Sequence, residues 1–113
     1  MSSVVRTYSG FTKAALALLG KEIEFNRKLK KINAQALADR CGISRPTLRN
    51  IERGAPSVEI GTVFEAAAIV GVKLFNSSSR QSIDISLNHL NDKIALLPES
   101  VRLKTSKKIN DAF

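Results

Sequence analysis

The chain has no tryptophan, one tyrosine, one cysteine and one histidine among its 113 residues. A single cysteine cannot close an internal disulfide, and one Cys with one His falls short of the protein ligands a zinc site needs. Neither a metal nor a cofactor is expected. Aromatic residues make up only 5% of the chain, too few for a platform that stacks single-stranded bases and better suited to a small aliphatic helical core than to a β-sandwich. Long apolar runs are also missing. Nothing approaches the roughly 18 residues of a membrane span, and the apolar stretch Ala14 to Leu19 runs into Lys21, Glu22 and Glu24 with no small-residue cleavage pattern. Cys41 and His89 lie in separate segments, so no nucleophile and base pair is in prospect. These absences predict a soluble, reduced, cytoplasmic protein that is not an enzyme.

Basic charge is what the chain has in excess. Eighteen Lys and Arg against ten Asp and Glu give a net charge of +8, which favours a polyanionic partner. The excess is unevenly placed: residues 1–56 carry 11 basic and 4 acidic side chains, residues 57–100 carry 3 and 5, and residues 101–113 carry 4 and 1. The basic partner surface is therefore expected in the first half. A chain of this length is about one domain.

Apolar spacing predicts five helices and an all-α fold. The first runs from Phe11 to Leu29 with Thr12 as its cap, Leu16, Leu19 and Ile23 forming one stripe and Phe11, Leu18, Phe25 and Leu29 a second. Two stripes imply two neighbours. Asn33 caps a short helix, Ala34 to Cys41, which Gly42 ends; Ser44 caps the next, Arg45 to Arg53, which tolerates Pro46 in its first turn and closes at Gly54. Two short helices joined by Gly42 and Ile43 are a helix-turn-helix signal. After the turn Ala55 to Ser57, the residues Ile60, Val63, Phe64, Ala67, Ala68 and Val70 line a fourth helix, apolar enough to be largely buried, that stops at Gly71. Beyond the polar loop Asn76 to Ser79, Ile83, Leu87, Leu90, Ile94 and Leu97 step by four, three, four and three, an a/d seam ended by Pro98. His89 falls on the surface of that helix. The expected organisation is a DNA-binding region at 11–75, an amphipathic heptad helix at 79–97 and a flexible tail at 98–113.

Within the two short helices, Leu37, Cys41, Ile43, Leu48 and Ile51 face one another, and Ala38 is small where the helices cross. The outer face of the second keeps Arg45, Pro46, Thr47, Arg49, Asn50 and Arg53. A helix of this size fits the major groove, where Arg matches guanine O6 and N7 and Asn matches adenine N6 and N7. Arg45, Pro46, Thr47, Arg49 and Asn50 are therefore the base-reading candidates. Asn33, Gln35, Ser44 and Arg53 are the candidates for phosphate, the first two at a helix N-terminus whose own N–H groups attract an anion. A row of charges on a helix is often only a solvated face, but Glu52 lies off the Arg row and leaves it unneutralised.

The stretch Ala34 to Gly54 resembles, without a gap, the helix-turn-helix of phage-repressor-like (XRE-type) regulators, with Leu37-Ala38, Gly42, Ile43, Leu48, Ile51, Glu52 and Gly54 at that family's spacing. The resemblance implies a five-helix repressor-like bundle in which Glu52 pairs with an arginine of the first helix, here Arg27. Further tracts, Arg6 to Thr12, Ala55 to Ala67, Gly71 to Phe75, Ala95 to Pro98 and Asn110 to Phe113, are similar to the antitoxin repressors encoded beside Hip-type toxin kinases. That similarity implies autorepression of a toxin–antitoxin operon and binding to a Hip-type kinase. Two other readings compete: a free-standing regulator without a toxin partner, and a protein-interaction inhibitor acting through the C-terminal helix and tail.

A lone helix-turn-helix of about 60 residues buries little surface and touches few base pairs, so both stability and affinity favour a homodimer on double-stranded DNA. Leu18 and Phe25, with Ile83, Leu87, Leu90, Ile94 and Leu97, are the apolar positions left for a dimer or partner face. Packing within the chain is the alternative for both sets. Paired recognition helices would stand about 34 Å apart and read an inverted repeat.

Overall fold

The computed structural model describes residues 7–99. Among them are five α-helices and no strand: α1 Gly10–Leu29, α2 Ala34–Cys41, α3 Arg45–Glu52, α4 Ile60–Val70 and α5 Arg80–Leu96. The all-α class and the helix count agree with the periodicity. Two compact units divide between Ser78 and Ser79, with α1 to α4 in the first and α5 in the second. Arg6 and the expected flexible tail from residue 100 onward lie outside the described residues.

Helix starts follow side-chain chemistry. Asn33 Oδ1 accepts the Ala36 N–H at 2.8 Å and Ser44 Oγ accepts the Thr47 N–H at 3.3 Å, so α2 and α3 begin where the sequence places them. At α1 the expectation fails. Ser9, not Thr12, is the cap: its Oγ accepts the Thr12 N–H at 3.2 Å and donates to Thr12 Oγ1 at the same distance. Thr12 stands one turn inside, as the partner of the cap.

Helix ends in the first unit repeat one device. The N–H just after a left-handed residue reaches back five positions, from Ile43 to Ala38 O, Ala55 to Asn50 O, Val72 to Ala67 O and Ile32 to Arg27 O. Glycine supplies that residue in three cases, and Lys31, at φ 59°, in the fourth. Phe75 and Asn76 are also left-handed and form a tight turn whose flanks, Leu74 and Ser77, exchange backbone hydrogen bonds at 2.9 and 3.0 Å.

In the first unit, α1 and α2 each pack on α3 and α4. The buried core takes Ile23 from α1, Leu37 and Ala38 from α2, Leu48 and Ile51 from α3, and Ala66, Ala67 and Val70 from α4. Burying each of the larger aliphatic side chains contributes roughly 1.5–3 kcal/mol. Cys41 and Ile43 pack on this core but stay half-buried. The fourth helix is less buried than its composition suggested. Ile60 and Ala68 face outward, because only one side of α4 meets α1 and α2 and the inward side is kept by alanines and Val70.

Gly20 fixes how closely α1 approaches α3. A Cβ at this position would lie 2.5 Å from Ile51 O and 2.7 Å from Glu52 O, so only glycine lets the helices meet here.

In the second unit, Ser79 Oγ accepts the Ser82 N–H at 3.1 Å to start α5, and none of the helix's residues is buried. Leu97 departs from the predicted seam: it is the C-cap, in extended conformation ahead of Pro98. The helical seam is therefore Ile83, Leu87, Leu90 and Ile94, a half-buried residue followed by three exposed ones.

Candidate nucleic-acid interface

The outer face of α3 is held in place from beneath. Leu48 and Ile51 are 1% and 2% exposed, which fixes the roll of the helix about its axis. Its C-terminal end is fixed by Arg27 and Glu52. Arg27 Nε donates to Glu52 Oε2 at 2.7 Å and Nη2 donates to Oε1 at 3.1 Å, while Nη1 donates to Ile32 O at 3.0 Å. One guanidinium thus joins α1, the end of α3 and the turn that leads into α2. Both side chains are about nine-tenths buried, so the two-pronged geometry compensates the loss of water around each charge. The hydrogen bond to Glu52 raises the Arg27 pKa against the opposing effect of burial.

On the solvent side, Arg45, Pro46 and Arg49 are exposed, whereas Thr47 and Asn50 are half-buried rather than fully outside. Among the described residues neither Arg45 nor Arg49 has a hydrogen-bond or ion-pair partner, which leaves both guanidinium forks open. Asn50 is engaged: its Oδ1 accepts from Arg53 Nη2 at 2.7 Å. An adenine edge needs both an acceptor and a donor from Asn, so Asn50 in this rotamer offers only its N–H groups. Arg53 is the C-cap residue of α3, and by holding Asn50 it sits at the rim of the outer face of α3. Spacing alone shows that the two are three apart but not that they bond.

The phosphate candidates lie at two helix starts. Asn33 spends its oxygen on the α2 cap and keeps its N–H groups. Gln35 Nε2 donates to Asp39 Oδ1 at 2.8 Å, one turn on, and retains a second N–H. Ser44 Oγ serves the α3 cap and lies 3.0 Å from Thr47 Oγ1. Each start also presents first-turn N–H groups and the positive end of the helix dipole, with no acidic residue in either first turn. Leu18 and Phe25 point outward from α1, and Leu87, Leu90 and Ile94 outward from α5.

Burial pushes the Cys41 thiol above its ordinary pKa, with the charge of Glu65 adding to the rise, so the thiolate form is disfavoured at neutral pH. Among the described residues no group of His, Cys, Asp or Glu gathers as metal ligands, and no helix is long and apolar enough to cross a membrane.

Sequence reasoning missed Gly20, and it read Gly54 as a helix end without its close approach to α1. A Cβ on Gly54 would lie 2.7 Å from the Ala17 Cα, so α1 rests directly against the backbone that follows α3. Gly20 carried a signal, since glycine inside a helix costs about 1 kcal/mol and calls for a reason.

Comparisons with curated proteins and with solved structures return no match. The Helix-turn-helix family model matches residues 23–75, a span that includes Arg27, both short helices and α4, so this part of the chain is similar to helix-turn-helix domains.

Proposed function

We propose that the protein is a sequence-specific transcriptional repressor that binds double-stranded DNA as a homodimer. The observation that carries this reading is the pair of open guanidinium forks, Arg45 and Arg49, on a helix whose opposite side is locked by Leu48, Ile51 and Glu52. A rigidly seated helix with unpaired forks has the geometry for bidentate contact with guanine edges. Arg45, Pro46, Thr47, Arg49 and, once released by Arg53, Asn50 face the bases. Asn33, Gln35, Ser44 and Arg53 hold the phosphates and set the register. The apolar seam Ile83, Leu87, Leu90 and Ile94 pairs with its counterpart on a second copy, since exposed a/d side chains on one helix are covered by a matching helix.

The operator is an inverted repeat with half-sites one helical turn, about 34 Å, or a multiple apart. Selection of bound duplexes from a random pool tests this. Recovery of a two-fold symmetric site supports it, and recovery of a single unrepeated motif, or of none, refutes it. The finer role is that of an antitoxin repressing its own operon beside a Hip-type kinase. It is supported by the sequence tracts flanking the helix-turn-helix, and its test is copurification with the product of the adjacent reading frame.

A further inference from the structure

The face of α1 turned away from the core carries an apolar stripe. Phe11, Leu18 and Phe25 are 83%, 62% and 64% exposed. At 3.6 residues per turn they share one stripe, with Phe11 and Phe25 each seven residues from Leu18 and within about 20° of it round the helix. This spacing is symmetric about Leu18. When two copies of α1 lie antiparallel across a two-fold axis through Leu18, Leu18 meets its own counterpart and Phe11 meets Phe25 of the partner subunit. Small residues then fall opposite long ones, Ala14 and Ala15 facing Lys21 and Glu22. The axial positions of all these residues are set by the helix repeat.

Beside Phe25 the surface is hollow. An open groove of about 530 Å³ runs between α1 and the segment after α4, lined by Lys21, Phe25, Asn26, Gly71, Val72 and Lys73. It sits at the height along α1 where Phe11 of the partner subunit arrives, and it is large enough to take an aromatic ring. The exposed parts of Phe11, Leu18 and Phe25 supply about half of the roughly 800 Å² that each partner buries in a standard interface, before the groove walls are added. A second copy therefore covers Phe11, Leu18 and Phe25, while Leu29, 67% exposed at the end of α1, falls opposite position 7, before the partner's α1 begins.

We infer that α1 pairs antiparallel with α1 of a second copy, each Phe11 filling the partner's groove beside Phe25. This deepens the dimeric reading given above and rests on it only for the presence of a second copy. The surface lies on α1 of the first unit, and it fixes the two helix-turn-helix domains to each other directly.

Cross-linking tests the register. In a Cys41→Ser background whose helicity is first checked by circular dichroism, Leu18→Cys lies on the axis and forms a disulfide-linked dimer under mild oxidation. Phe25→Cys does not, because its symmetry mate is about 21 Å away along the helix, beyond the roughly 7 Å limit for a disulfide. In the otherwise native chain, Phe11→Asp raises the dimer dissociation constant by roughly 30-fold, the loss expected of an aromatic anchor buried in a pocket of the partner. Absence of the Leu18→Cys adduct, an equally ready Phe25→Cys adduct, or an unchanged dissociation constant for Phe11→Asp overturns the pairing. A protein that protects an inverted repeat yet gives no adduct refutes the α1 interface and leaves the DNA reading intact. The adduct without any DNA binding does the reverse.

Discussion

Replacing Glu52 by Ala removes both acceptors of the Arg27 fork while leaving the guanidinium nine-tenths buried. A broken buried pair costs about 3–5 kcal/mol. The lower end applies here, because Arg27 Nη1 keeps its bond to Ile32 O. About 3 kcal/mol is a large share of the 5–15 kcal/mol of a typical domain, and it lowers the melting temperature by roughly 12–24 °C in a domain this small. Glu52→Gln keeps the shape and one acceptor and costs less. The double replacement Arg27→Met with Glu52→Leu removes both charges and their desolvation together, and recovers most of the loss. Urea unfolding followed by far-UV circular dichroism measures these proteins together with the single variants Arg27→Met and Glu52→Leu, which complete the double-mutant cycle that gives the coupling energy. A loss below 1 kcal/mol for Glu52→Ala, or additive losses in the cycle, would show that the pair does not hold α3 to α1.

Gly20→Ala destabilises by about 1–3 kcal/mol on thermal unfolding, because the added Cβ meets the Ile51 and Glu52 carbonyls. A stabilised variant, the ordinary result of removing glycine from a helix, would contradict the close approach. Lys31→Gly raises stability by about 0.5–1 kcal/mol, since glycine relieves the left-handed backbone at the end of α1; a loss would mean that the Lys31 side chain contributes more than its backbone costs. Leu90→Asp, at the centre of the α5 seam, lowers dimer content in sedimentation equilibrium while circular dichroism stays helical, and an unchanged dimer would remove α5 from the interface.

The helix-turn-helix was legible because its signals are local. Asn33, Gly42 and Ser44 each act through the backbone within a few residues, so their roles follow from identity and position. The ends of the fold were less legible. Ser9 and Thr12 are both competent caps, and only the geometry of the first turn decides between them. Leu97 fits the heptad count, but the proline that follows forces it out of the helix. The burial of α4 misled because an apolar composition does not say how many neighbours a helix has; Ile60 and Ala68 lie on the side that neither α1 nor α2 reaches. At the candidate site, the row of arginines could be read from spacing, whereas the capture of Asn50 by Arg53 depends on rotamers that no pattern encodes. The turn at Phe75 and Asn76 gave no warning, since it places a phenylalanine at positive φ with its ring edge-on to Phe64 at 6.1 Å.

The central claim is that the open forks on α3 read bases, and the most direct measurement compares the dissociation constants of wild type and Arg49→Ala for the selected operator and for random duplex at one salt concentration. Base reading predicts a loss of roughly 1–3 kcal/mol on the operator, little change on random DNA, and relaxed preference at one base pair of each half-site. Equal losses on both duplexes would make Arg49 a phosphate contact and contradict the account.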